Sequence, residues 1–282
     1  MTEFRTVLTG LWMGESPRWH DGRLWLSDMG ANEVVAVDPS GARETVEDVP
    51  AMPMGLGWLP GGDMLIVSSR DGRLLRRAVG TGSTGTHADL GRLHRFPWSD
   101  MAVDGRGNAY IGNIGFDFGG GPVDTGTLAL VTPDGTAREV ADDLQFPNGV
   151  AVTPDNTTLI VAESYANRLT AFDVGPDGGL SGRRVWADLP GAFPDGICLD
   201  AEGAAWYADV PNRRCVRVAE GGEVLATVDA GLGCFACVLG GADRRTLYVT
   251  AADWQGGALM TNPERTGRVL TIDVPVPGAG WP

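Results

Sequence analysis

Short apolar runs separated by polar turns recur along the whole chain. Examples are "MLIVSS" from Met64, which follows the turn sequence "PGGD", and "TLIVAES" from Thr158, which follows "TPDNT". Runs of about five residues bounded by Gly, Pro, Asn and Asp favour β-strands. No stretch of about 12 residues keeps its apolar residues at the 3.6-residue spacing of a helix. The pattern therefore predicts an all-β protein.

The strand and turn pattern repeats as a unit of two apolar strands, a polar turn and a third strand. Six units occur, and their first positions are Glu15, Met54, Ser99, Asn148, Asp195 and Cys234. Successive units begin 39, 45, 49, 47 and 39 residues apart. This period is typical of the four-stranded antiparallel blades of a β-propeller. The sequence therefore predicts one six-bladed propeller domain over residues 1–282.

The two ends of the chain offer strands that lie outside the repeat. "EFRTVL", from Glu3 to Leu8, precedes the first unit, and the last unit ends with "GRVLTIDV", from Gly267 to Val274. An unpaired edge strand is unfavourable, and a ring must join its first blade to its last. We predict that the N-terminal strand pairs with the C-terminal one and completes the last blade.

The charge balance narrows the range of partners. The chain has 22 Lys and Arg against 36 Asp and Glu, a formal net charge of −14. Such a surface disfavours nucleic acid and anionic membranes and suits a neutral or weakly charged small molecule. The N-terminus lacks a basic segment followed by an apolar one, so the expected location is the cytoplasm. The oligomeric state is left open.

The four cysteines occur late in the chain, at Cys198, Cys215, Cys234 and Cys237. They are too few for a disulfide framework. "CFAC" has the spacing of some metal sites, but residues three apart on a regular strand point to opposite faces of the sheet. We therefore predict buried structural thiols here.

The first residue of each unit is expected at one mouth of the central channel, because the first strand of a propeller blade lies innermost. Cys234 or Phe235 would take this place in the last unit. Two carboxylates, Glu15 and Asp195, would then meet the amide of Asn148 with no basic residue at the matching positions. Like charges brought together in a buried site are costly unless a positive charge compensates them.

A bound divalent cation would remove that cost. Oxygen ligands favour Ca²⁺, with Mg²⁺, Mn²⁺ or Zn²⁺ as alternatives. We predict that Glu15, Asn148, Asp195 and Ser99 are the metal ligands. The competing interpretation is that Asn148 and Asp195, each followed by glycine, are ordinary turn residues.

At these residues the chain resembles the SMP-30/gluconolactonase/LRE-like family. The resemblance rests on "GESPRW" from Gly14, "FPNGVAVTPDNTTLIVAES" from Phe146, "FPDGICLDAEGAAWYAD" from Phe193 and "CFACVLGGADRRTLYVTAA" from Cys234. It implies a six-bladed propeller that holds a divalent cation through Glu15, Asn148 and Asp195. It also implies that Asp195 acts as the acid/base residue in lactone hydrolysis.

The third unit departs from the family pattern. In "FPWSDMAVD", Pro97 and Ser99 stand where sugar-lactone hydrolases of this group carry Arg and Asn, and only Asp100 matches. The resemblance therefore implies a lactone that need not be a sugar lactone. We expect the substrate pocket to include residues at the ends of the second strands and in nearby loops, namely Phe96, Trp98, Asp100, Asn113, Phe116, Tyr165, Phe235 and Trp254. Their aromatic character favours a partly apolar substrate.

The predicted mechanism is hydrolysis of a carboxylic ester bond. The cation would polarise the lactone carbonyl and activate a water, and Asp195 would accept the proton of that water and return it to the leaving ring oxygen. Two alternatives remain open. One is phosphotriester or organophosphate hydrolysis, since a cation can also polarise P=O; the other is a metal-binding propeller without catalysis.

Overall fold

The computed structural model describes residues 4–118, 120–256 and 264–280. In these ranges the chain forms 24 β-strands arranged as six four-stranded antiparallel sheets, with one 3₁₀ turn at Leu90–Arg92. The prediction of an all-β six-bladed propeller is therefore confirmed. No helix in the described ranges has the length and apolar character needed to span a membrane.

The strands follow the blades in chain order. Blade 1 contains β2 (Gly14–His20), β3 (Arg23–Asp28), β4 (Glu33–Val37) and β5 (Arg43–Asp48). Blade 2 contains β6 (Pro53–Trp58), β7 (Met64–Ser68), β8 (Arg73–Arg77) and β9 (Thr84–Asp89). Blade 3 contains β10 (Trp98–Val103), β11 (Ala109–Asn113), β12 (Gly126–Val131) and β13 (Ala137–Leu144).

The remaining blades repeat this order. Blade 4 contains β14 (Pro147–Val152), β15 (Thr158–Glu163), β16 (Arg168–Val174) and β17 (Leu180–Asp188). Blade 5 contains β18 (Pro194–Leu199), β19 (Ala205–Asp209), β20 (Arg214–Val218) and β21 (Val224–Asp229). Blade 6 contains β22 (Gly233–Gly240), β23 (Thr246–Ala252) and β24 (Gly267–Asp273), and its fourth strand is β1 (Arg5–Leu11).

The first strands of the blades form the inner ring. Each of β2, β6, β10, β14, β18 and β22 lies against the first strands of the two neighbouring blades. The core lies between the blades, where apolar side chains of facing sheets pack together. Leu65 and Val67 of blade 2, for example, share one buried cluster with Trp98 and Ile111 of blade 3. Each blade thus buries its faces only by stacking on its neighbours.

The ring is closed by the N-terminal strand, as predicted. β1 pairs antiparallel with β24, with Arg5 opposite Thr271 and Leu11 opposite Gly267. The strand runs three residues beyond the predicted end at Leu8, and its predicted first residue, Glu3, lies outside the described residues. Gly10 has a φ of +82° and lies at an irregularity in the pairing of β1 with β24.

Leu11→Ala is expected to lower the free energy of unfolding by about 3 kcal/mol. The Leu11 side chain is 1% exposed and belongs to a cluster with Leu26, Val35 and Val269, so the truncation leaves a cavity where β1 meets blades 1 and 6. Urea denaturation measures the change. Val79→Ala, at a side chain that is 68% exposed, is the control. Equal stability of the two variants would contradict a structural role for this strand.

The cysteines depart from one prediction. A bulge in β22 between Cys234 and Ala236 breaks the alternation of faces, so Cys234 and Cys237 both pack in one buried cluster with Cys215. The Cys237 thiol donates to the Gly196 carbonyl oxygen at 3.8 Å. The expectation that the two cysteines of "CFAC" point to opposite faces is therefore wrong. All four thiols are free, and three are buried while Cys198 is half-buried.

Candidate functional site at the channel mouth

A bulge near the start of each inner strand aims one side chain towards the channel mouth. In β14, Pro147 lies opposite Glu163 and Val150 lies opposite Val161, so one residue of the segment between them is unpaired. The same irregularity follows Pro194 in β18. Bulges of this kind redirect side chains and increase the local twist of the strand. Asn148 and Asp195 consequently occupy equivalent positions in neighbouring blades.

The glycines that follow these residues serve close packing between blades. A Cβ atom on Gly149 would lie 2.5 Å from the carbonyl oxygen of Asp195, and one on Gly196 would lie 2.3 Å from the Cβ of Ala236. Both glycines are within strands and neither has a positive φ. The interpretation of Asn148 and Asp195 as turn residues is therefore wrong. Their glycines are required because adjacent inner strands approach each other here.

The structure brings Glu15, Asn148 and Asp195 together. The side chains of Glu15 and Asp195 are buried, each only 9% exposed. Burial, followed by the negative charge of Asp100, raises the pKa of Glu15 from 4.5 to about 8. Burial and the charges of Glu15 and Asp100 raise the pKa of Asp195 well above its usual range, while the Asn148 amide partly opposes that rise.

The hydrogen bonding of this group is incomplete. Asn148 Nδ2 donates to Ser164 Oγ at 3.3 Å. Asp195 Oδ1 is buried and has no hydrogen-bond partner among the described residues. A buried carboxylate oxygen without a donor is costly, and in native proteins it is usually satisfied by a ligand, an ion or water.

Sequence reasoning missed a polar network beside this group. Arg18 donates from a terminal guanidinium nitrogen to Asp100 Oδ1 at 2.8 Å, and both side chains are 7% exposed. Ser16 Oγ donates to the same oxygen and accepts a hydrogen bond from the Leu56 N–H at 3.0 Å. Arg18 Nε donates to the Leu56 carbonyl oxygen at 3.1 Å. The sequence signal was that Arg18 lies in an inner strand, where a charged side chain needs a partner, although the sequence does not identify Asp100 as that partner.

The charges of these residues do not balance. Glu15, Asp100 and Asp195 carry three negative charges when ionised, and Arg18 supplies one positive charge that is directed at Asp100. The remaining charge of −2 matches one divalent cation, and the donors are oxygen atoms, which suit a hard ion. Among the described residues, no group of three or more His, Cys, Asp or Glu side chains could hold a metal. The predicted set, with two carboxylates and an amide, fits a cation that also keeps water ligands.

Arg18→Met is expected to lower the free energy of unfolding by about 3 kcal/mol, because it leaves the Asp100 carboxylate buried without its cationic partner. The double variant Arg18→Met, Asp100→Asn should recover part of this loss. Urea denaturation of the wild type, the two single variants and the double variant measures the coupling. Additive losses would show that the ion pair does not act as a unit.

Three further residues that were predicted to belong to the site, Ser99, Asn113 and Trp98, are buried. Ser99 Oγ donates to the Pro147 carbonyl oxygen at 2.9 Å. Asn113 is fully buried; its Nδ2 donates to the Phe96 carbonyl oxygen at 2.6 Å and its Oδ1 accepts from the Gly115 N–H at 3.0 Å. Trp98 is 1% exposed and lies in the core between blades 2 and 3.

Two apolar clusters contain residues that lie close in the chain to the polar group, such as Met13 near Glu15 and Phe146 near Asn148. One, here named the methionine wall, is a packed cluster that comprises Met13, Met29, Met52, Met54, Val210, Phe235, Ala252 and Trp254. Its Phe235 and Trp254 rings meet edge to face, with centroids 6.1 Å apart. Phe235 and Trp254 were predicted as pocket residues and Met54 as a residue of the channel mouth, whereas Met13, Met29 and Met52 were not predicted.

The second, here named the aromatic wall, consists of Phe116, Phe118, Phe146 and Tyr165. The Phe146 and Tyr165 centroids are 4.8 Å apart, and Phe118 stacks on Phe146 at 5.5 Å. Phe118 is 47% exposed and Tyr165 is 41% exposed. Phe116 and Tyr165 were predicted. The predicted Phe96 lies apart from this wall, half-buried against His94 and under Arg95.

Comparison with known proteins agrees with this architecture. Residues 13–253 match the model of the SMP-30/Gluconolactonase/LRE-like region. Pentonolactonase XacC of Haloferax volcanii is 28% identical over 281 residues, which cover 95% of this chain and 91% of that protein. The 6-deoxy-6-sulfogluconolactonase of Pseudomonas putida is 27% identical over 281 residues, covering 96% and 94% respectively.

Among solved structures, a calcium-binding regucalcin from Agrobacterium tumefaciens superposes with a TM-score of 0.83 at 24% identity, over 100% of this chain and 97% of that one. This likeness concerns the fold. The family match, by contrast, covers most of the chain and includes the inner strands of all six blades. The chain belongs to the SMP-30/Gluconolactonase/LRE-like family.

Proposed function

We propose that this protein is a metal-dependent hydrolase that opens a lactone ring. The observation that carries the proposal is the buried Asp195 carboxyl, whose Oδ1 has no hydrogen-bond partner among the described residues and which lies beside Glu15 and Asn148. Relatives named as a pentonolactonase and a sulfogluconolactonase support lactones as the substrate class.

The residues that would hold the cation are Glu15, Asn148 and Asp195, with Ca²⁺ as the ion that best suits their oxygen donors. Ser99 donates its hydroxyl hydrogen to Pro147 and keeps lone pairs for the ion or for its water ligands. When bound, a divalent cation polarises the substrate carbonyl and lowers the pKa of water.

Asp195 moves the proton in this proposal. It accepts a proton from the attacking water and returns it to the ring oxygen as the ester bond breaks. Its raised pKa favours the first task, because a carboxylate whose pKa is raised is a stronger base than an ordinary aspartate. Arg18 holds the neighbouring Asp100 carboxylate in place through a hydrogen bond of 2.8 Å.

The test is a hydrolysis assay on protein stripped of metal with EDTA and then reloaded with Ca²⁺, Mg²⁺, Mn²⁺ or Zn²⁺. Proton release from a panel of γ- and δ-lactones, followed with a pH indicator, should appear only after reloading. Paraoxon is assayed in parallel. Turnover of paraoxon alone would replace the proposal with phosphotriester hydrolysis, and tight metal binding without any turnover would replace it with a binding propeller.

A further inference from the structure

We infer that the substrate of this site is a lactone bearing an apolar substituent, such as an alkyl chain or a fused aromatic ring, which packs against the aromatic wall. The inference rests on the proposed function and adds the class of lactone. It sets this site apart from one that recognises a row of hydroxyl groups.

The first argument is that the polar side chains described near the mouth, other than the predicted metal ligands Glu15 and Asp195, already have hydrogen-bond partners within the protein. Both polar atoms of the Asn113 amide are used inside the protein, and Asp100 Oδ1 accepts from Ser16 and Arg18. Ser164 Oγ donates to the Pro194 carbonyl oxygen at 2.7 Å and accepts from Asn148. A polyol would lose its hydrogen bonds to water here and find few donors or acceptors in exchange.

The second argument is the position of the aromatic wall. Phe146 lies two residues before Asn148, and Tyr165 directly follows Ser164, the residue that accepts from Asn148. The Ser164 N–H donates to the Phe146 carbonyl oxygen at 3.2 Å, which ties the two segments together. The aromatic wall therefore includes a residue that lies two positions before the predicted ligand Asn148 in the chain.

The third argument is the conformation and exposure of these rings. Phe146 has a φ of +57°, in the left-handed region that bulky residues rarely adopt. Strained residues of this kind persist where the surrounding structure holds them, and they cluster at ligand sites. Phe118 and Tyr165 keep nearly half of their surface exposed, so the wall offers apolar area that a ligand can cover.

The methionine wall leaves less apolar surface exposed than the aromatic wall, so the aromatic wall is the better place for the substituent to pack. Met13, Met29 and Met52 are each no more than 8% exposed, so their surface is already covered by packing within the cluster. Met54 and Trp254 of the same cluster are half-buried, whereas Phe118 and Tyr165 are the most exposed side chains of the two walls. A chain leaving the lactone ring would therefore gain most by lying across these two rings.

The experiment uses the metal-loaded protein and a series of δ-lactones from δ-valerolactone, which has no substituent, to δ-decalactone, with glucono-δ-lactone as the polyol. We expect kcat/KM to rise about fourfold per added methylene over the first few carbons. Phe118→Ala and Tyr165→Ala should lower kcat/KM for δ-decalactone at least about tenfold and change that for δ-valerolactone less than about twofold. Val185→Ala, at an exposed side chain on the outer strand of the same blade, should change neither.

A binding measurement separates this inference from the proposed function. Calorimetry with δ-lactams of the same chain lengths, which resist hydrolysis, should show affinity that rises with chain length in the wild type and much less in Tyr165→Ala. Absence of any chain-length dependence, or a higher kcat/KM for glucono-δ-lactone than for δ-decalactone, would overturn the inference while lactone hydrolysis stands. Chain-length-dependent lactam binding without hydrolysis of any lactone would overturn the proposed function instead.

Discussion

Asp195→Asn is expected to lower kcat/KM for lactone hydrolysis by about 10³-fold, the loss typical of removing a general acid–base residue. The amide that replaces the carboxyl cannot accept a proton from water at neutral pH or return it to the ring oxygen. It keeps an oxygen that can still ligate a cation. The substitution also removes a buried charge next to Glu15, so the folded state should be at least as stable as the wild type in the absence of metal.

The measurement is the steady-state rate with reloaded Ca²⁺, together with calorimetric titration of Ca²⁺ into the metal-stripped variant. Asp229→Asn, at an exposed aspartate at the end of β21 in the same blade, is the matched control and should retain full activity. If Asp195→Asn binds Ca²⁺ and keeps more than about a tenth of the wild-type rate, Asp195 is not the residue that transfers the proton.

The second large effect is a loss of stability with rising pH in protein stripped of metal. The pKa of Glu15 is raised from 4.5 to about 8, so the folded chain holds this proton more tightly than the unfolded chain. The contribution of Glu15 therefore destabilises the folded state progressively as the pH rises through this window and reaches its full cost above about pH 8. One pKa unit corresponds to about 1.4 kcal/mol, and relaxation of the site reduces the total cost. We therefore expect the free energy of unfolding to fall by on the order of 3 kcal/mol.

Urea denaturation in EDTA at several values between pH 5 and pH 9 measures this effect. The difference in free energy of unfolding between the wild type and Glu15→Gln isolates the contribution of Glu15, because the two proteins share all other titrating groups. Adding Ca²⁺ should stabilise the wild type far more at high pH than at low pH, since the ligands must lose their protons to bind it. Parallel pH curves for the wild type and Glu15→Gln would contradict this account.

The fold could be predicted from the sequence because each blade carries its own copy of the pattern. The period of 39 to 49 residues predicts four-stranded blades, and the number of repeats predicts six of them. The strands at the two ends of the chain predict how the ring is closed. The convergence of Glu15, Asn148 and Asp195 followed from the same reasoning, since equivalent positions in a ring face one axis. Their roles as metal ligands stay a prediction.

Features that depend on contacts between blades could not be predicted in this way. Arg18 reaches from blade 1 to Asp100 in blade 3, and no local pattern in "GESPRW" indicates that partner. Asn113 was expected to face the substrate, but its amide is satisfied by the Phe96 carbonyl oxygen and the Gly115 N–H. The bulge at Phe235, which places both cysteines of "CFAC" against Cys215, likewise arises from strand pairing.

The pairing of β1 with β24 also has a consequence for biosynthesis. Arg5 and Thr271 are joined across 266 residues of chain, so β1 has no pairing partner during synthesis until β24 has been translated. A nascent chain in that interval exposes an unsatisfied strand edge, which is a site for aggregation. The propeller should therefore complete its fold only after β24 has been translated, and its yield in cells should depend on chaperones that bind the unpaired β1 strand.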